Sequence, residues 1–374
     1  MNALEAQLDY PFGEQLPAIG DTLAIVPGLA WLRMPLPFAL DHINLWLLED
    51  GEGYTAVDCG VATDATRAAW EQVFTGPMGE RPLRRVLATH CHPDHIGLSD
   101  WLCRRFDAPF WMTTGEYGFG RMMAAGLPGV DGTAAIPHFA RHGLAGAALT
   151  AQMESRKNYF PGLVPAVPLA YTRMQHGQTI RIGKHDWRVI TGFGHSPEHA
   201  SLYSAALNVL ISGDMVLPRI STNVSVFAVE PEGNPLQLYL DSLDRYSDLP
   251  ADTLVLPSHG RPFRGLHTRI AQLREHHAAR LAEVVAACAQ AQSAMDIVPL
   301  MFRRPLDAHQ LSFALGEALA HLHQLWAQGI VLRCLGDDGI IRFVVEATDK
   351  QNCPGFMHME SHRSSHNMRD NARS

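Results

Sequence analysis

The chain has 374 residues, 47% of them hydrophobic and 18% charged, with a formal net charge of −8. That length accommodates one large domain and a smaller one, and the acidic balance argues against a general polyanion binder, leaving room only for a local basic patch. Residues 1–15 lack the basic start and apolar run of a secretory leader, no apolar stretch approaches the roughly 18 residues of a membrane span, and the six cysteines are scattered without a CxxC pair; together these predict a reducing, cytoplasmic setting.

In chain order, Leu45–Leu48 and Tyr54–Asp58 are apolar runs on either side of Glu49-Asp50-Gly51-Glu52-Gly53, which predicts a β-hairpin. A helix is expected from Asp64 to about Phe74 with Thr63 or Asp64 as its N-cap, then a strand at Arg85–Thr89 and a helix from Ser99 through Phe106. This β-α alternation predicts a mixed α/β layer fold. From Thr113 to Tyr171 the chain is rich in Gly, Ala, Met, Pro and aromatics, and Pro128, Pro137 and Pro161 break its helical periods. It reads either as a helical insertion covering a pocket or as an ordinary structural excursion. Strands resume at Thr179–Ile182 and Trp187–Thr191, and again at Leu207–Ser212 and Thr253–Pro257, before a long amphipathic helix from about His267 to Ala289.

Beyond that helix the pattern changes. Helices are expected at Ala294–Leu300 and Asp307–Gln328; on the second, Leu311, Leu315, Leu319, Leu322 and Trp326 recur every three or four residues along one face. Ile330–Leu335 and Ile340–Val345 then flank the turn Gly336-Asp337-Asp338-Gly339. Helix, helix and hairpin is the layout of a winged-helix domain. The expected organisation is therefore a catalytic domain over residues 1–265, with an insertion at about 113–171, a linker helix and winged helix over 266–347, and a polar, aperiodic and disordered tail over 348–374.

The residues that carry chemistry follow four apolar strands. Val86-Leu87-Ala88 leads into Thr89-His90-Cys91-His92-Pro93-Asp94-His95, Val189-Ile190-Thr191 into Gly192-Phe193-Gly194-His195, Val209-Leu210-Ile211 into Ser212-Gly213-Asp214, and Leu254-Val255-Leu256 into Pro257-Ser258-His259. Ligands placed just past strand ends sit on loops held by a rigid sheet, where a site is both fixed and open to substrate. Imidazole and carboxylate donors suit Zn²⁺ first, and also Fe or Mn. Seven donors exceed one tetrahedral ion but suit two ions sharing a carboxylate, and a set rich in His and Asp rather than thiolate is that of a catalytic site.

These motifs, with Gly194-His195-Ser196-Pro197-Glu198-His199 and Pro257-Ser258-His259-Gly260, resemble the metallo-β-lactamase superfamily over residues 20–265. The resemblance implies an αββα sandwich with two metal ions at one edge. Carried over, it gives His90, His92 and His195 to the first ion, Asp94, His95 and His259 to the second, and Asp214 as the bridge. A bridging Asp departs from the true β-lactamases and looks like the glyoxalase II branch, which implies acyl hydrolysis rather than antibiotic hydrolysis. The appended winged helix resembles that of a smaller group within the superfamily, including thioesterases of polyketide pathways and a mitochondrial single-strand endoribonuclease. Neither it nor the stretch Thr113–Tyr171 matches glyoxalase II.

Two ions about 3.5–4 Å apart lower the pKa of a shared water to about 7, and a thiolate leaves without protonation, so a thioester of the acyl-CoA kind is the expected substrate. A lactone or other ester, or single-stranded RNA, is the alternative. The C-terminal residues 270–348 hold six Arg and no Lys against eight Asp and Glu, and Asp307–Gln328 has no Lys or Arg. That is poor chemistry for phosphate backbones. The unit reads as a packing, lid or dimerisation element, the protein as a binder of a small acyl compound with no membrane or nucleic-acid partner. Around the centre, Asp58 is expected either to hold a ligand from behind or to be a plain turn residue, His199 to hold a ligand from behind, and Cys91 to point into the core. Arg219 either holds an anionic substrate group or makes a structural salt bridge, and Tyr117, Phe119 and Tyr159 either line the pocket or pack.

Overall fold

The structure, a computed structural model, describes residues 4–345 apart from 39, 131, 147–149, 152–153 and 155–158, and the side chains of 308 and 309 also fall outside it. The tail expected to be disordered, 348–374, lies outside the described residues.

Two sheets form the centre. The first runs in chain order through β1 (Leu23–Val26), β2 (Leu29–Pro35), β3 (His42–Asp50), β4 (Gly53–Val57), β5 (Leu83–Leu87), β6 (Phe110–Met112) and β7 (Thr172–Arg173), antiparallel as far as β4 and parallel beyond it. The second comprises β8 (Thr179–Ile182), β9 (His185–Gly192), β10 (His199–Ser204), β11 (Val209–Gly213) and β12 (Leu254–Pro257), ordered β12-β11-β10-β9-β8, with only the β11–β12 pair parallel.

The strand sequences explain the stacking. In β11 and β12, Val209, Ile211, Leu254 and Leu256 point between the sheets, where they meet Trp46, Val57 and Leu87 of the first sheet, while Leu210 and Val255 point to the outer face. A strand buried on both faces reads as a continuous apolar run. The outer face of the first sheet is covered by the helices Asp64–Thr75 and Ser99–Phe106, through Trp70, Val73, Phe74 and Leu102. The outer face of the second is covered by Pro235–Leu243 and Leu266–Ala287, through Leu236, Tyr239 and Leu273. The result is four layers, helix, sheet, sheet, helix, as expected. Thr63 caps the first of these helices, its Oγ1 accepting from Thr66 N at 3.2 Å.

Among its described residues, the stretch after β6 includes the short helices Thr114–Ala124, Gly132–Ala140 and Tyr159–Leu163. Pro137 lies inside its helix instead of ending it, which costs one backbone hydrogen bond. The stretch packs in two directions. Leu163 O accepts from Ala62 N at 3.0 Å on the side of the first sheet, while Phe139 and Leu144 enter the core shared by the second sheet and the C-terminal helices.

The C-terminal unit has the expected order, Ala294–Met301, Ala308–Ala327, then the antiparallel hairpin β13 (Val331–Leu335) and β14 (Ile341–Val345). Its caps are local, a Ser293–Asp296 capping box on the first helix and Asp307 Oδ1 accepting from Gln310 N at 2.8 Å on the second. Among the described residues no helix is long and apolar enough to cross a membrane, and the buried cysteines Cys59, Cys91, Cys103 and Cys288 are free thiols.

Candidate metal centre

The four predicted motifs meet at one edge of the sandwich. β5 ends at Leu87, and Ala200 N at the start of β10 donates to Thr89 O at 2.8 Å, tying the two sheets together beside His90. Parallel pairing of β11 with β12 aligns Gly213 with Pro257, so Asp214 and His259 leave the sheet side by side. Gly213 adopts φ +55°, and a Cβ there would lie 2.2 Å from His199 Nε2. Only glycine fits at this turn.

All seven predicted residues converge, in two groups. The donor atoms of His90, His92, His195 and Asp214 lie within 4.8 Å of one another, as do those of Asp94, His95 and His259. In the first, His90 Nε2 is 2.9 Å from His92 Nδ1 and 3.2 Å from His195 Nε2. In the second, Asp94 Oδ2 is 3.4 Å from His259 Nε2 and 3.7 Å from His95 Nε2. Asp214 faces both, with Oδ2 3.4 Å from His195 Nε2 and Oδ1 3.7 Å from both His95 Nε2 and His259 Nε2.

The far sides of the rings are held by acceptors. His95 Nδ1 lies 2.9 Å from Asp58 Oδ2. His195 Nδ1–H donates to Asn223 O at 2.7 Å, and His259 Nδ1–H to His42 O at 3.0 Å. Such contacts fix the tautomer and aim the Nε2 lone pair inward. Asp58, in the left-handed region at φ 66°, also accepts from Thr89 N at 2.8 Å, so it holds both the ring and the loop that carries it. His199 acts through the bridge, its Nε2 accepting from Asp214 N at 3.1 Å.

The electrostatics are those of a cation site. Against burial, which lowers it, Asp58, Asp94 and Asp214 push His95 up to about 10. Against burial, which raises it, His95 and His259 hold Asp94 down to about 2. Asp214 is likewise held well below the usual carboxylate range, by His259 and His95. His90 and His92, by contrast, are driven down by burial, His92 to about 3, which leaves them as neutral donors.

Three residues that the sequence reading misses complete the frame. Glu116, on the helix Thr114–Ala124, is fully buried and accepts from Cys91 N at 2.9 Å, Ser196 Oγ at 2.6 Å and Glu198 N at 2.6 Å. It clamps the His90–His92 loop to the His195 loop. Asn44 on β3 donates to Pro257 O at 2.8 Å and Gly260 O at 2.9 Å, bracketing His259. Asn223 supplies a backbone carbonyl, which no side-chain motif announces. The only sequence signal for Glu116 is a lone acid in the first turn of a small-residue helix.

Of the outlying expectations, Cys91 does lie in the core, where burial pushes its thiol up. Arg219 faces Glu5, with Nε 3.9 Å from Oε2, and is 72% exposed, so the salt-bridge alternative describes it. Tyr117 stacks on Tyr171 with ring centroids 3.9 Å apart and donates to Leu169 O. Tyr159 meets Phe38 at 6.2 Å, and Phe119 packs on the outer core of the first sheet. All three pack within and beneath the inserted stretch.

The donors fit divalent ions. His95 Nε2 and Asp214 Oδ1 are buried with no hydrogen-bond partner, a cost that a cation would remove. Ligands about 2.0–2.2 Å from a tetrahedral ion stand roughly 3.3–3.6 Å from one another, and the separations here, 2.9–3.7 Å, bracket that spacing.

The profile of the Metallo-beta-lactamase superfamily matches residues 39–259, and that of the Metallo-beta-lactamase-like, C-terminal domain matches residues 281–346. Among solved structures, a beta-lactamase domain protein from Burkholderia ambifaria is 58% identical, the match covering 92% of this chain and 100% of that one with a TM-score of 0.88. A metallo-beta-lactamase family protein from Thermus thermophilus is 29% identical over 86% of this chain and 100% of that one, with a TM-score of 0.73. Probable metallo-hydrolase YqjP of Bacillus subtilis (strain 168) is 24% identical over 264 residues, 64% of this chain and 73% of that protein. With its four layers, its convergent His and Asp motifs and these matches, the chain belongs to the metallo-beta-lactamase superfamily.

Proposed function

We propose that this protein is a hydrolase working with two divalent ions, and that it cleaves a small thioester or related acyl compound. His90, His92 and His195 would hold one ion, Asp94, His95 and His259 the other, with Asp214 facing both. The observation that carries this reading is the placing of Asp214, which turns one carboxylate oxygen to each group, 3.4 Å from His195 and 3.7 Å from His95 and His259. The name of the B. subtilis relative, Probable metallo-hydrolase, points the same way.

When bound, the ions supply Lewis acidity and an acidified water; the nitrogen and oxygen donors suit Zn²⁺ first, with Fe or Mn also accommodated. The chain's own residues do the rest. His92 and Asp94 are the most exposed of the seven, so substrate would approach on their side. Asp94, held ionised at about 2, is available there to accept a hydrogen bond from an attacking water. A thiolate departs without a proton, so the reaction asks for no strong acid beside the leaving group.

We take the C-terminal unit as a winged helix turned to packing. Every residue of its long helix from Ala314 to Leu325 is buried, so that helix cannot lie in a nucleic-acid groove, and this favours a small acyl substrate over RNA. The test is a panel of acyl-CoA and acyl-glutathione thioesters, lactones and a single-stranded RNA, run beside elemental analysis. Thioester turnover and near two ions per chain are expected. Activity that survives complete removal of metal would overturn the mechanism, and cleavage of RNA alone would overturn the substrate class.

A further inference from the structure

The helix Ala308–Ala327 reaches the metal centre through residues 222–226. Gly316 O accepts from Val226 N at 3.1 Å. A Cβ on Gly316 would stand 2.7 Å from Ser225 Cβ and Oγ, so only glycine lets the helix approach this closely. The next residue, Glu317, accepts from Asn223 Nδ2 at 3.2 Å through Oε2. Ser225 Oγ donates to Asn223 Oδ1 at 2.8 Å, and Asn223 O takes the Nδ1–H of His195 at 2.7 Å. Side chain and carbonyl of Asn223 are thus both committed. The same segment touches the bridge, because Thr222 Oγ1 donates to Asp214 O.

Glu317 is 8% exposed, and burial pushes its carboxyl up to about 7. Arg280, whose charge reaches it, is engaged with Glu283 at 2.6 Å. A buried carboxyl answered by a neutral amide costs folding energy that an apolar residue would not.

We propose that Glu317 is a positioning residue for the metal centre: by anchoring Asn223 it holds the carbonyl that orients His195, so the C-terminal unit sets the affinity for the ion held by His90, His92, His195 and Asp214. This rests on the ligand assignment given above. The tautomer of His195 is the physical link. With Nδ1–H on a fixed carbonyl, Nε2 keeps its lone pair toward the ion; with the carbonyl free to swing, the ring loses both tautomer and aim.

The experiment is a Zn²⁺ titration of full-length protein against a chelating dye, with circular dichroism and melting of the metal-free forms alongside. Glu317→Gln keeps an acceptor oxygen and is expected to bind both ions as the wild type does. Glu317→Leu fills the space without an acceptor and is expected to weaken one ion about tenfold, the low end of the cost of removing a ligand's own partner, while the second ion moves less. A purely structural role would shift melting of the metal-free protein and leave the ratio of the two affinities alone. Asn223→Ala keeps the backbone carbonyl and removes only its anchor; the same loss is expected, not additive with that of Glu317→Leu. Two ions bound within twofold of wild-type affinity by Asn223→Ala, or by folded Glu317→Leu, overturn the proposal alone. A wild type that takes up no Zn²⁺ overturns the ligand assignment and this proposal with it.

Discussion

Among the described residues, buried histidines gather at the sheet edge and again around the helix Ala308–Ala327, and the two sets behave differently. At the sheet edge, His90, His95, His195 and His259 are buried around Asp94 and Asp214. Around the helix Ala308–Ala327 two separate pairs are as deeply buried: His142 with His323, the His138 ring centroid 5.1 Å from that of His142, and His277 with His321, Nδ1 of the first 3.3 Å from Nε2 of the second. Among the described residues, only the edge groups bring three or more His, Cys, Asp or Glu donors within reach of one another. At the edge, carboxylates push His95 up to about 10. In the second gathering, burial pushes His142 and His277 down to about 3 and His321 down to about 4. A buried histidine without a carboxylate stays neutral and packs as an aromatic ring; the carboxylates make a cluster into a cation site.

The largest effect expected from breaking this contrast comes from Asp214→Ala. It takes the carboxylate from both groups at once, and turnover should fall by more than about a hundredfold, beyond the loss of a mere partner to a ligand. Elemental analysis should then find one ion or none on a protein that still folds; two tightly held ions would contradict the bridge. Next come the residues behind the ligands. Asp58→Ala frees the His95 ring and Glu116→Ala unties the His90 and His195 loops, and each is expected to lower metal affinity about 10–100-fold. Competition with a chelator measures this, and unchanged affinity in either would demote that residue to simple packing.

His142→Leu probes the other gathering. Ion content and turnover should stay at wild-type values, while acid stability changes. The His142 ring titrates at about 3 when folded, against 6.5 when free, because burial, His138 and His323 lower it. The unfolded chain therefore takes up this proton first as pH falls. Stability is intact above pH 6.5 and falls between about pH 6.5 and 3 by up to about 1.4 kcal/mol per pH unit. Denaturation at several pH values should show that slope reduced by about one proton in the variant, and an unchanged slope would mean His142 is not kept neutral by the fold. The smallest effect belongs to Asp307→Ala, which removes a helix cap in the C-terminal unit and should cost about 1 kcal/mol of stability with ion content unaltered.

Much of the centre is legible in the chain because its converging His and Asp residues obey a local rule. An apolar run buried on both faces makes a strand, and the His or Asp just beyond it sits on the loop at its end, as Leu87 to His90 and Ile211 to Asp214 do. The cap Thr63 is likewise visible because it bonds an amide three residues on. Of the elements missed, which include β1 and β2, three lack such a signal. β6 and β7 have three and two residues, too few for a period. β10, His199–Ser204, carries serines that a strand pattern does not favour, yet lies wholly buried between β9 and β11.

The sequence by itself therefore determined many of the longer strands, the cap at Thr63 and the seven His and Asp residues that converge at the sheet edge, because those depend on neighbours a few residues away. Tertiary structure alone decided what surrounds them. Glu116 meets Ser196 across 80 residues of chain, Asn44 meets Pro257 across 213, and Asn223 meets Glu317 across 94. Which oxygen of Asp214 faces which histidine was likewise settled only when the two sheets closed. The reason is physical: propensity and periodicity act within a turn or a strand, whereas a hydrogen bond between distant segments exists only once packing has brought them to within about 3 Å.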